Sequence, residues 1–159
     1  MLRRGSDSLL VISEYGLDAK RYNEKFESIT WSECTLRRWL NGEFLQQAFT
    51  AQEQSLIKVS SLSDKTGPSA DDRMFLLSID EAESLFPDNS DRAAKPTAYA
   101  IKKGACINKN NGNVWWRLRS RGYRDSNAAY VLIDGGIHSY GGRVDDASVS
   151  VCPVFRIAI

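Results

Sequence analysis

The last 43 residues of this 159-residue chain contain no lysine, glutamate, glutamine, methionine or tryptophan. Those five types number 26, and all of them lie within residues 1–116. Independent placement at the upstream rate would leave such a gap in roughly one chain in 10⁴–10⁵, a deviation that needs a cause. Charge itself is not missing: Arg117, Arg119, Arg121, Arg124, Arg143 and Arg156 stand beside Asp125, Asp134, Asp145 and Asp146. The long flexible charged and amide side chains are what is absent. Short apolar runs cut by glycine remain, a pattern of strands joined by tight turns.

Three such runs read as strands: Val114–Leu118, Ala128–Ile133 and Val149–Ile157, with glycine-rich connections between them. Together they predict one antiparallel sheet region. Upstream, Ser8–Ser13 reads as a buried strand and Glu14–Ser28 as a polar loop. Thr30-Trp31-Ser32-Glu33 and Thr50-Ala51-Gln52-Glu53 have capping-box spacing. Leu36, Trp39 and Leu40 share a helical face, so two or three short helices are expected over residues 32–56, ended or kinked at Asn41-Gly42. A strand over Ile57–Leu62, a loop over Lys65–Asp72 and a buried strand over Met74–Leu77 follow. Asp80 is expected to cap a helix through Phe86, Pro87–Arg92 to turn, and Pro96 to start a helix toward Lys103. Asn108–Asn113 is a polar loop. The class is α+β: short helices packed on a small twisted antiparallel sheet, with a loop-rich C-terminal half, in one domain.

Bulk properties exclude several partners. A formal net charge of +1 predicts neither nucleic acid nor an anionic membrane surface. No run approaches the roughly 18–20 apolar residues of a membrane helix, and no apolar stretch follows Arg3-Arg4 to make a signal peptide. Cys34, Cys106 and Cys152 lack metal spacing and are odd in number, so they are expected to be mostly buried thiols rather than a disulfide framework.

Chance and turn chemistry can deplete Lys and Glu from the C-terminal segment. They account less well for a total absence beside so many arginines. A binding surface uses this alphabet for a physical reason. Tyrosine gives large rigid contact area, serine and glycine adapt, and arginine makes forked contacts. The candidate ligand-binding residues are Tyr123, Arg124, Asp125, Ser126, Leu132, Ile133, His138, Ser139, Tyr140, Arg143, Asp145, Asp146 and Ser148. Positions open to many residue types must be exposed, so Val131, Val144 and Val151 are expected to point inward beneath them.

The segments ITWSECTLRRWLNGEFLQQAF, FLLSIDEAESLF, DRAAKPTAYA, WWRLRSRG, NAAYV, DGG and VCPVF, in that order, resemble a large family of uncharacterised bacterial and phage domains. That resemblance implies the C-type-lectin-like fold shared with formylglycine-generating enzymes and with the variable proteins of diversity-generating retroelements. In those variable proteins, asparagine codons are randomised at adenines near the C-terminus. Such codons yield Tyr, Ser, Asp, His, Arg or Gly, among others, but never Lys, Glu, Gln, Met or Trp. This chain departs from the family pattern at Arg117, at Arg121 where proline is usual, and at Cys152 where arginine is usual. It also begins almost at the segment around Leu9, so a first strand of the family is expected to be missing or supplied differently.

Catalytic chemistry has little to rest on. His138 is the only histidine, so a His-based metal site or a Ser-His-Asp triad would depend wholly on it. Asp145-Asp146 could ligate calcium, but two adjacent carboxylates are also an ordinary solvated turn. Trp115 and Trp116 point to opposite faces of a strand, so at least one belongs to the core; Trp31 and Trp39 are expected there too. The expectation is a non-enzymatic recognition module with no cofactor or metal. It would bind a protein or another surface ligand. A structural domain of a phage or cell-surface particle is the alternative, and an enzyme distantly related to the formylglycine-generating group is the third reading.

Overall fold

The computed structural model describes residues 3–64 and 67–159. Strands β1 (Arg3–Arg4), β2 (Ser8–Ile12) and β3 (Asp18–Ala19) come first. Then α1 (Thr35–Trp39) passes through a π turn at Leu40–Phe44 into α2 (Leu45–Ala48), followed by α3 (Ala51–Leu56). Next are β4 (Ile57–Lys58), β5 (Ser60–Asp64), β6 (Gly67–Asp72) and β7 (Met74–Phe75). Helices α4 (Ile79–Leu85), α5 (Asn89–Arg92) and α6 (Ala98–Lys102) follow. The C-terminal part holds β8 (Trp116–Arg121), β9 (Asn127–Val131), β10 (Ile137–Arg143), β11 (Ser150–Val151) and β12 (Val154–Ala158).

The class is α+β, but the strands form several small sheets rather than one. The first sheet runs β1-β2-β12-β4, with β7 also on β12. The second runs β10-β9-β8-β11-β3, and β5-β6 is a separate hairpin. The run expected as one strand over Val149–Ile157 is therefore two strands in two sheets. Cys152-Pro153 separates them, and proline has no N–H to extend a ladder. Nor is the second sheet wholly antiparallel, because β11 pairs with β8 in parallel, Ser150 beside Trp116. Its strand β10 occupies what reads in sequence as a glycine-rich connection, so the C-terminal half is richer in strand than expected.

Local chemistry explains most of the remaining boundaries. Thr50 and Glu53 form the expected reciprocal capping box of α3. The cap of α4 is Ser78, boxed with Glu81, rather than Asp80. Cys34 caps α1 through its sulfur, which accepts from Arg37 N at 3.4 Å, so that helix starts later than the Thr30-Glu33 spacing suggests. Thr97 caps α6, which leaves Pro96 outside the helix, and Asn89–Arg92 is a helical turn. Asn41 explains the π turn. Its side-chain amide donates to Arg37 O (3.1 Å) and Met74 O (2.8 Å), competing for a helix carbonyl while tying the helix to β7. The expected loop over Lys65–Asp72 is the strand β6 from Gly67 onward, while Lys65 and Thr66 lie outside the described residues.

The main core joins both large sheets to the α1–α2 segment and α4, and a smaller cluster of Ala19, Ala100, Ala105 and Val114 holds α6 beside β3. Leu36 and Leu40 of the helical segment pack with Phe75 and Val154 from the first sheet and Trp116, Leu118 and Val131 from the second. Each fully buried leucine or valine of this kind stabilises by about 1.5–3 kcal/mol. Trp31 is buried and donates Nε1–H to the Asp72 carboxylate at 2.9 Å. Trp39 is only half-buried and lies beneath the Lys20 ammonium, 4.5 Å from its ring. Among the described residues no helix is long and apolar enough to cross a membrane.

Candidate functional site

The second sheet positions the candidate residues. A tight turn from Gly122 to Ser126 joins β8 to β9, closed by Gly122 N–H to Asn127 O (2.8 Å) and Asn127 N–H to Arg124 O (2.9 Å). Tyr123 N–H donates across to Tyr140 O at 2.9 Å, which brings the turn against β10. Gly122 is required there: a Cβ would sit 2.3 Å from Tyr140 O. The β9–β10 register shifts between His138 and Gly142, and Gly141 adopts a φ of +71° in that bulge. The bulge pushes Ser139 and Tyr140 outward.

An aromatic row results. Trp115 and Tyr130 have centroids 5.6 Å apart, and Tyr130 and His138 stack at 5.0 Å and 5°. His138 meets Tyr140 edge-on at 6.5 Å, and Tyr140 lies 5.6 Å from Tyr123. Tyr123 and Tyr140 are the most exposed members, at 76% and 67%. Between them and Ser139 lies a shallow groove of about 270 Å³. Register explains the inner part of the row, since Arg117 pairs with Tyr130 and Tyr130 with His138 on one sheet face.

Beside this row stands a charged rim. Arg143 forks onto Asp145 (2.9 and 2.8 Å) and lies 4.1 Å from the exposed Phe26 ring. That guanidinium holds the Asp145 carboxyl below its ordinary range. Arg121 pairs with Asp125 at 2.7 Å, and Ser28 also donates to Asp125. Asp146 accepts from the N–H and hydroxyl of Ser148 (2.8 and 2.7 Å), so it closes a turn. Asp145 and Asp146 are thus already engaged by neighbours. Among the described residues no group of three or more His, Cys, Asp or Glu could hold a metal ion.

Arg117 supports the rim from below. It is fully buried, and its Nη2 donates to Asp146 O (2.6 Å) and Arg143 O (3.4 Å). Burial pushes its pKa down to about 10. Its Nε and Nη1 have no partner among the described residues. The same burial raises the Tyr130 phenol.

Of the thirteen candidate residues, Tyr123, Arg124, Asp125, Ser139, Tyr140 and Arg143 are exposed. Ser126, Leu132, Ile133, His138, Asp145, Asp146 and Ser148 are half-buried. Val131, Val144 and Val151 beneath them are fully buried. The fold brings Tyr123–Ser126, His138–Tyr140 and Arg143–Asp146 together, linked by Val144 N–H to Ser126 O at 3.0 Å. It does not bring Leu132 and Ile133 into that group. They sit in the β9–β10 turn, at the far end of the hairpin, where Leu132 N–H bonds Gly136 O and Asn113 holds Ile133 O. Sequence reasoning missed Tyr130 and Phe26, which become neighbours of the site only through register and the fold of the Glu14–Ser28 segment.

A model of one protein family covers residues 6–159, and so all thirteen positions. The chain belongs to DUF6273, a domain of unknown function. No curated protein and no solved structure matches it. Within this DUF6273 chain two cysteines are buried, Cys34 at the N-cap of α1 and Cys152 between β11 and β12. Burial pushes the thiols of both Cys34 and Cys152 up to about 12, and Cys106 is exposed.

Proposed function

We propose that this DUF6273 domain is a non-enzymatic recognition module. It would bind a protein or another surface ligand with the β8–β9 turn, β10 and the Arg143–Ser148 segment. One observation carries the reading: eleven of the thirteen candidate residues, drawn from a restricted alphabet, reach the surface in these segments, while Val131, Val144 and Val151 are fully buried. A row of aromatic rings flanked by forked arginines is rigid and amphipathic, the composition that gives contact area at low ordering cost. In this reading the architecture is C-type-lectin-like. The C-terminal segment is then the diversified end of a retroelement target, which accounts for its missing residue types.

The test is a library randomised at Tyr123, Ser139, Tyr140 and Arg143, against a second randomised at Val131, Val144 and Val151. The reading expects most members of the first library to fold, and binders to unrelated proteins to be selectable from it. It expects most members of the second to aggregate. Widespread unfolding in the first library sinks the reading. At the gene level, a near-identical template repeat beside a reverse transcriptase gene is the expected signature of diversification.

A further inference from the structure

A cavity lies on the first sheet, away from the aromatic row. Its volume is about 600 Å³, within the roughly 300–1,000 Å³ of small-molecule sites. The first sheet supplies its floor, with β5 and α4 as walls. Register fixes the chemistry of that floor. Arg3 pairs with Leu10, Leu10 with Arg156, and Arg156 with Lys58, all antiparallel. Directly opposed residues share a sheet face, so three cations stand in one cross-strand row, on strands about 4.8 Å apart. All of them line the cavity.

Like charges opposed across a ladder are destabilising unless they are compensated. The carboxylates of the cavity are already engaged. Asp7 takes Lys58 and the Ser8 hydroxyl. Glu81 grips Arg119 with both oxygens and caps the Ser78 N–H. Asp80 has a partner of its own. Arg3 and Arg156 make no side-chain hydrogen bond or ion pair among the described residues. On the wall, Ser60 is 7% exposed, and its buried Oγ has no partner among the described residues. Leu62, Val59 and Leu85 supply apolar surface beside these groups.

We propose that this cavity binds a small amphiphile with an anionic head group. The head sits on Arg156 and Arg3, and the apolar part lies against Leu62, Val59 and Leu85. The site is independent of the recognition face and stands or falls separately. The probes are octanoate, octyl phosphate and neutral 1-octanol, titrated into the full chain by calorimetry and by amide chemical shifts. Saturable binding of an octyl anion is expected, with shifts clustered on residues 57–62 and 154–158. Octanol should bind at least ten-fold more weakly, and added salt should weaken the anions. Arg156→Gln should lose at least ten-fold and Arg156→Lys less. Arg3→Gln, on an exposed edge strand, should lose several-fold with the fold intact. Tighter octyl phosphate would identify a phosphorylated ligand, and tighter octanoate a carboxylate. No saturable binding of either anion, equal binding of octanol, unchanged binding in both glutamine variants, or shifts centred on Tyr123 and Tyr140 would each overturn the proposal.

Discussion

Strands β8 and β10 lie two places apart in one sheet and are drawn from one end of the chain, yet they have opposite fates. In β8 every residue from Trp116 to Ser120 is buried, including Arg117 and Arg119. In β10 no residue is fully buried. The two buried arginines of β8 are held by fixed groups: Arg117 through Nη2 by the carbonyls of Arg143 and Asp146, Arg119 by Leu76 O and the Glu81 carboxylate. Those of the rim pair with short aspartates in solvent. The difference teaches that residue type does not mark the surface here. What marks it is whether a side chain's partners are backbone groups of other elements, which cannot be exchanged, or neighbours on the same face, which can.

Four experiments would break or sharpen that contrast. The largest effect belongs to the floor. Trp116 is buried and donates Nε1–H to Arg92 O at 2.8 Å. Trp116→Ala should cost about 3–5 kcal/mol by urea denaturation, and a cost near that of a surface change would erase the distinction between the strands. Second is the hinge between floor and face. At Gly141 a Cβ would sit 2.5 Å from Ala128 O on a φ of +71°, so Gly141→Ala should cost about 1–3 kcal/mol. An unchanged denaturation midpoint would mean that the bulge is not built on this glycine.

The third concerns thiols. A disulfide-exchange reagent should label Cys106 in the native protein and Cys34 and Cys152 only on unfolding. Because burial raises those two thiols from 9.0 to about 12, their contribution to stability is full below about pH 9 and is lost as pH rises toward 12. The urea midpoint should therefore fall through that window, and fall less in Cys152→Ala; an equal fall in both would count against a buried Cys152 thiol. The smallest effect belongs to the face. Ser139→Tyr and Arg143→Ser should each stay within about 0.5 kcal/mol of the parent. A loss of several kcal/mol at either would show that the face is structural.

Much of the helical part could be read from sequence because its signals are local. The Thr50–Glu53 box and the apolar spacing of Leu36 and Leu40 act within one or two turns. The sheets were less legible because pairing is non-local. Strand β10, Ile-His-Ser-Tyr-Gly-Gly-Arg, lacks alternation since only Ile137, at its start, packs against the core. Strand β6 begins Gly-Pro and ends Asp-Asp, which read as turn residues, yet its Asp72 is buried where it accepts from Trp31 and Arg37. The exposure of Tyr123 and Tyr140 followed from composition. Their contact did not, because it depends on a bulge that no residue pattern announces.

The place of β12 carries a consequence for how the molecule comes into being. Its five residues pair with β2, β4 and β7 at once, so strands separated by most of the chain have no sheet until the segment Val154–Ala158 has left the ribosome. Non-local pairing of this kind is slow and leaves apolar edges open meanwhile. A premature stop anywhere in the Tyr123–Ser148 stretch therefore removes more than part of a binding face. It leaves a chain that cannot close its first sheet.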